Sequence, residues 1–275
     1  MNLPTLVIVA LGGACAFVGS LGGIGGATLL VPTLLALGVE PKVAAPLGLL
    51  TVAAGSLAAG ARHLDAGLVH HRLGLTIELA ASTGAILGAL ASASISQVLL
   101  ARVLGVAALV GAIAALSRTG IRNVPVASFG AEPPGEWPGT LGGQYDLNGR
   151  AVPYHARNLP AGLAASLVAG VIAGLSGVGG GFLKTPAMSE IMHVPVKVAA
   201  ATTTFTLGIT ASTGLLIFAV QGRLSVDSGA AVVAGAMVGG TVGAHLQSRI
   251  DAATLRRLTG IILLAVAAIV IGRTL

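Results

Sequence analysis

Two glycine-rich stretches, one lysine set in an apolar run, one isolated carboxylate and a dense set of threonines are the groups of this chain that could do chemistry. Gly22-Gly23-Ile24-Gly25-Gly26 and Gly177-Val178-Gly179-Gly180-Gly181 each interrupt a long apolar segment. A helix broken inside a bilayer frees backbone N–H and C=O groups that are costly unless they line a cavity or face protein. Pro32 and Pro186 follow the breaks at the same distance and lack an N–H, so they can hold the downstream half-helices bent. A half-helix that starts at Gly25/Gly26, or at Gly179, Gly180 and Gly181, aims free N–H groups and its positive dipole end into the break. That chemistry suits an anion. The competing reading is that the glycines serve only close helix packing.

Hydroxyls offer a second chemistry. Thr202, Thr203, Thr204, Thr206, Thr210, Ser212 and Thr213 fall in one apolar segment. Such groups can replace an oxyanion's hydration shell by donating hydrogen bonds, or can bond back to their own helix and merely pack. Thr202 and Thr203, just after a helix start and near the second break, lead the candidates, with Thr204 beside them. Lys184 either draws an anion into the membrane or snorkels to the outer interface. Glu78, in a helix expected over 68–91, either carries a coupling proton, pairs with a basic group, or lies near the cytoplasmic interface. His63, His70, His71 and Arg72 share a segment that reads as a solvated loop. They have no ligand spacing with a cysteine or carboxylate, so neither a metal nor a cofactor is expected. Cys15 is the one cysteine, so an intrachain disulfide is excluded.

The elements that must hold these groups are membrane helices. Of 275 residues, 55% are hydrophobic and only 9% charged, and mean hydropathy is +0.94. A water-soluble domain carries roughly a quarter of its residues charged, so the lipid bilayer is part of this chain's solvent. The net charge of +6 is scattered between apolar runs, with no basic stripe interleaved with aromatics. A nucleic-acid partner is set aside, and the charge is read as topology. No Lys or Arg precedes the first apolar run, which argues for a first membrane segment rather than a cleaved signal peptide.

An internal repeat organises the chain. The first break through Pro32 aligns with the second through Pro186 at an offset of 154, kept at Pro41 and Pro195. After one inserted residue the offset is 155: Lys42-Val43-Ala44-Ala45 falls on Lys197-Val198-Ala199-Ala200. Gly84 and Gly88 then fall on Gly239 and Gly243, and Thr51 on Thr206, which adds Thr51 to the candidates. Five spans per half split the basic residues 10 to 5 across the membrane, whereas four per half split them 8 to 7. The positive-inside rule therefore favours five. An odd number turns the second half upside down, giving inverted-topology repeats.

The expected fold is an all-α polytopic membrane protein of two inverted-topology repeats, about five membrane segments each. Residues 1–117 form the N-terminal repeat, 118–157 a central cytoplasmic loop, and 158–275 the C-terminal repeat. Both termini are placed in the periplasm. The central loop holds Pro133-Pro134 and Trp137-Pro138, and Asn148-Gly149 is suited to a tight turn. A small hairpin serving as a linker is expected there.

Gly177-Val178-Gly179-Gly180-Gly181-Phe182-Leu183-Lys184-Thr185-Pro186-Ala187-Met188, followed by Val194-Pro195-Val196-Lys197-Val198-Ala199-Ala200-Ala201-Thr202, resembles the second-half signature of the TauE/SafE sulfite exporter family. The first break through Pro32 resembles that family's other copy, and 143–157 its central loop. The resemblance implies a bacterial inner-membrane carrier for sulfite, an organosulfonate such as sulfoacetate, or a related small anion. Two departures bear on substrate: Thr202-Thr203-Thr204 stands where a Thr-Ser-Asn triplet is expected, and Ala45-Pro46-Leu47-Gly48 where a Gly-Thr-Ser triplet is common.

An inside-negative potential favours anion exit by roughly 2.3 kcal/mol per charge per 100 mV, so export by alternating access is the leading function, and a homodimer is left open. A proton-coupled uptake carrier for a small organic anion is the alternative. A rhomboid-like protease would use Ser176 in Gly174-Leu175-Ser176-Gly177 with His245 as base. The duplication already accounts for both segments, and no enzyme is expected.

Overall fold

The computed structural model describes residues 4–96, 141–147, 150–247, 249–250 and 252–272, with isolated helical positions between 98 and 116. Most of the apolar run 103–117, at the end of the N-terminal repeat, lies outside the described residues, as do Pro133-Pro134 and Trp137-Pro138 of the central loop.

Among the described residues the regular elements are helices and one hairpin. Helices α1 (Thr5–Gly22), α2 (Ala27–Ala36), α3 (Pro41–Asp65) and α4 (His71–Ala91) precede strands β1 (Gly142–Leu147) and β2 (Arg150–His155). Helices α5 (Leu159–Ser176), α6 (Gly181–Pro186), α7 (Val196–Val220), α8 (Val226–Gln247) and α9 (Ala252–Gly272) follow. Among the described residues six helices (α1, α3, α4, α5, α7 and α8) are long and apolar enough to cross a membrane. The chain is a multi-pass membrane protein. At 1.5 Å per residue, the ten residues of α2 reach about 15 Å, half the thickness of a bilayer's apolar core.

Local sequence explains where the helices stop. Gly23 and Gly177 end α1 and α5 in the left-handed conformation, at φ 64° and 73°, and their N–H groups donate to Gly19 O and Ala173 O. Both need glycine for a second reason: a Cβ at Gly23 would stand 2.6 Å from Ala200 Cα, and one at Gly177 2.3 Å from Ala45 Cα. Pro41 opens α3 and Pro195 immediately precedes α7, where a fixed φ and a missing N–H do no harm. Pro186 ends α6, and the chain continues as a π turn over Ala187–Ile191. A proline breaks the regular ladder there.

Packing interlaces the two halves. α1 lies along α8, α4 along α5, and α3 is wedged against both α7 and α8. Small residues let backbones touch. A Cβ at Gly239 would lie 1.9 Å from Gly13 O, and one at Gly170 1.9 Å from Ala81 O. Lipid tails are as apolar as the helices, so tight van der Waals contact of this kind is what holds membrane helices together.

β1 and β2 pair antiparallel with Leu147 opposite Arg150; their connecting residues Asn148 and Gly149 lie outside the described residues. The hairpin is tied to the helices at its base. Tyr154 is buried with Leu73, Ile77, Met188 and Met192, and its ring meets His70 edge-on at 5.9 Å. His70 Nε2 lies 3.1 Å from Gly142 O.

This corrects the solvated-loop reading of the histidines: His63 and His70 are each 1% exposed. His70 caps α4, its Nδ1 accepting from the Leu73 N–H at 3.1 Å, and Tyr154 covers it. His63 is in the last turn of α3, whose neighbour Arg62 reaches His245 of α8 at 3.4 Å. Only His71 and Arg72 are exposed. α4 begins at His71, three residues later than expected from the start at 68.

Candidate functional site

The two glycine breaks meet. A Cβ at Gly181 would stand 2.8 Å from Gly23 O, and Thr185 Oγ1 donates to that same carbonyl at 2.7 Å. Val52 of α3 and Leu207 of α7 cover the junction. Val52 stands over Gly179, where a Cβ would meet it at 2.7 Å, and both stand 3.4 Å from a Cβ at Gly25.

On the first break's side lies a cavity of about 10 Å³, room for about one water centre. Its lining includes Gly25 and Gly26 of the break, Thr51 and Ser56 of α3, Ser20 of α1, and Thr204 of α7. Among the described residues the N–H groups of Gly25 and Gly26 have no backbone acceptor. Thr204 Oγ1 is buried and has no hydrogen-bond partner among the described residues. Thr51 is spent on its own helix, donating to Leu47 O at 2.9 Å. Ser20 likewise donates to Phe17 O at 3.0 Å.

Ser56, which sequence reasoning missed, holds the frame. Its Oγ donates to Thr204 O at 2.5 Å and accepts from the Gly208 N–H at 2.8 Å, joining α3 to α7. Ser56→Ala leaves two backbone groups of α7 without this partner, and is expected to lower stability by about 1–3 kcal/mol. Thermal unfolding in detergent reads this; an unchanged melting temperature would remove Ser56 from the frame.

On the second break's side lies an ion pair. Lys184 of α6, 0% exposed, places Nζ 2.5 Å from Glu78 Oε2 of α4 and 3.0 Å from Thr206 Oγ1. Glu78 Oε1 accepts from Ser82 at 3.0 Å and from the Thr210 hydroxyl. The carboxylate thus has three donors, Lys184, Ser82 and Thr210, and the ammonium is sealed. Snorkelling of Lys184 to an interface is overturned, because its charge is met inside the protein by Glu78. Pairing of Glu78 with a basic group, one of the readings weighed, is present.

The remaining candidates are partnered elsewhere. Thr202 Oγ1 accepts from the His70 N–H at 2.9 Å, and Thr203 Oγ1 donates to Met188 Sδ at 3.4 Å. The structure therefore gathers Gly25, Gly26, Thr51 and Thr204 at one cavity. Lys184 and Glu78 form a neighbouring cluster, Gly179 and Gly181 line the junction between the breaks, and Gly180 packs on Ala169. Ser176 donates to Ile172 O at 2.6 Å, and His245 faces Arg62. Among the described residues no group of three or more metal-ligating side chains occurs.

Two polar side chains beyond the candidates are also notable. His63 Nε2 and both amide atoms of Gln247 are buried without a partner among the described residues. The sequence marks His63 only as one of a histidine cluster and does not mark Gln247, since nothing local shows a buried amide as unsatisfied.

Comparison with known proteins gives a consistent result. A family model described as "Sulfite exporter TauE/SafE" matches residues 8–270. The "Probable membrane transporter protein YunE" of Bacillus subtilis (strain 168) is 26% identical over 269 residues, covering 95% of each chain. The "Sulfite exporter TauE/SafE family protein 3" of Arabidopsis thaliana is 33% identical over 87 residues, 32% of this chain and 18% of that protein. No solved structure matches.

Proposed function

The chain belongs to the TauE/SafE sulfite exporter family of membrane transporters, and from that premise we propose that it exports a small anion, sulfite or an organosulfonate foremost, through the junction of its two glycine breaks. The observation that carries this reading is the cavity lined by Thr204, whose hydroxyl has no partner among the described residues, and by Gly25 and Gly26, whose N–H groups have no backbone acceptor there. Three neutral donors around one space can replace water about an oxyanion without fixing a proton.

The cavity has room for about one water, so it must widen to take a sulfur oxyanion. Alternating access supplies that widening. On this reading the halves are inverted repeats of about five segments each, the hairpin faces the bacterial cytoplasm, and both termini face the periplasm. Rocking of α1 with α8 against α4 with α5 would part Val52 from Leu207 and open the junction to one side at a time.

Flux into liposomes of sulfite, thiosulfate, sulfoacetate, sulfate and small carboxylates tests the reading. Thr204→Val removes the unpartnered hydroxyl. It should leave the melting temperature equal or higher, because a buried donor without an acceptor is destabilising. The same variant should slow flux about tenfold, the worth of one hydrogen bond at about 1.4 kcal/mol. Full flux through Thr204→Val would remove the cavity from the transport path.

A further inference from the structure

The repeat supplies an internal control on the Lys184–Glu78 pair. At the aligned positions of the other copy Lys184 is replaced by Leu30 and Glu78 by Val233, while Thr206 keeps its counterpart Thr51. Leu30 is 1% exposed, so that copy packs the equivalent place with hydrocarbon. The scaffold therefore does not need an ion pair there. Sealing two charges from water is often no better for stability than well-packed apolar residues of similar volume. A pair present in one copy and dispensable in the other calls for a role other than packing.

The donors around Glu78 describe that role. An ammonium and three hydroxyls, those of Thr206 and Thr210 on α7 and Ser82 on α4, surround a single carboxylate beside the second break. Lys184, Thr210 and Ser82 donate to the carboxylate, and Thr206 accepts from Lys184 while its own hydroxyl donates to Thr203 O at 3.3 Å. This is a receptor for an oxyanion, filled by one of the protein's own side chains. We propose that Glu78 is a tethered stand-in for the transported anion, and that substrate takes its place on Lys184 as Glu78 accepts a proton. The inference rests on the anion-transport reading above.

The charge balance is simple. In the closed form the ammonium and the carboxylate sum to zero. When a monoanion enters, one proton from the aqueous side adds to Glu78, the Lys184–carboxylate contact breaks, and the ammonium pairs with the substrate. The sum is again zero, and no uncompensated charge is buried. A monoanion then crosses with its proton electroneutrally, whereas a dianion such as sulfite carried with one proton still moves one negative charge and keeps its electrical drive outward. Among the described residues Lys184 of α6 is the charged group against Glu78. α7 contributes Thr206 and Thr210, and α5, which packs on α4 through Gly170 and Gly174, carries no titratable side chain. His70 and Tyr154 stand about two helix turns away at the start of α4.

Calorimetry of methanesulfonate and of sulfite binding to the purified full-length protein, in two buffers of different ionisation enthalpy, counts the protons. With sulfite's own protonation subtracted, the wild type should take up about one proton per anion, and methanesulfonate affinity should fall about tenfold per pH unit on going alkaline. Glu78→Gln should bind without proton uptake and without that pH dependence. The Lys184→Leu/Glu78→Val double variant, which copies the residues of the first repeat, should stay folded and bind at least about tenfold more weakly. Binding by the wild type with no net proton uptake, or undiminished binding by the double variant, overturns the inference and leaves the transport reading standing. Failure of both anions to bind the wild type overturns both.

Discussion

Lys184→Met alone is expected to destabilise the protein by about 3–5 kcal/mol, the usual consequence of leaving one member of a buried pair uncompensated. Glu78 is 3% exposed, and its two remaining hydroxyl partners, Ser82 and Thr210, carry no charge to replace the ammonium. Glu78→Val alone should do similar harm by stranding Lys184, whose other polar contact among the described residues is Thr206. Combining Lys184→Leu with Glu78→Val removes both charges and should recover most of the loss, since the aligned positions carry the apolar Leu30, which is buried, and Val233, which is partly buried. Thermal unfolding of the three variants in detergent reads the cycle. Additive losses in the double variant would mean that the two side chains are not energetically coupled, and the contact at 2.5 Å would carry no weight.

Gly239→Leu and Gly170→Leu are expected to prevent assembly of a monodisperse protein. At either position the first added carbon lies 1.9 Å from a backbone carbonyl oxygen, Gly13 O in one case and Ala81 O in the other. Backbone cannot turn aside as a long side chain can, so the helices must separate by roughly the shortfall to a normal contact. Overpacking typically costs about 1–3 kcal/mol where neighbours can shift; here the displaced element is an entire helix. Separating α1 from α8, or α4 from α5, removes the closest packing in the molecule, and no hydrophobic force between membrane helices replaces it. Gly272→Ala, with nothing within 4 Å of its added carbon, is the control and should behave as wild type. Size-exclusion profiles in detergent decide this. A normal profile for both leucine variants would mean that these helices approach less closely than described.

The two sets of variants bear on different levels. The glycines act on the scaffold, whereas Lys184 and Glu78 act at the place where the scaffold departs from its own repeat. On the proposed reading of the halves as repeats, function arises where the copies differ, because a fully symmetric interior would offer the same environment twice. Here one side of the junction offers neutral donors and a small cavity, and the other offers an occupied charged receptor.

Membrane character was legible from composition alone, because hydropathy sums over residues and does not depend on which ones touch. The helix interruptions at Gly23 and Gly177 were legible too, since a left-handed cap is a local demand that glycine meets best. The importance of Lys184 and Glu78 could be suspected from each residue singly, because a charge in an apolar run is conspicuous wherever it occurs. Their pairing could not. They stand 106 residues apart, and helical periodicity says which face is apolar without saying which residue on another helix it meets. For the same reason the threonine cluster misled in its details. Thr202 and Thr203 ranked first by nearness to the break, yet both are spent on His70 and Met188, while Thr204 faces the cavity unpartnered.

Sequence by itself thus determined a multi-pass helical membrane protein with two aligned helix breaks, because those properties reside in single segments. Tertiary structure alone decided that the breaks touch, that one flank is a cavity and the other an ion pair, and that Ser56 ties α3 to α7. Each of these depends on the angle and depth at which separate helices pack. Glycine permits that approach at many positions, so its presence could not by itself select the ones that are used.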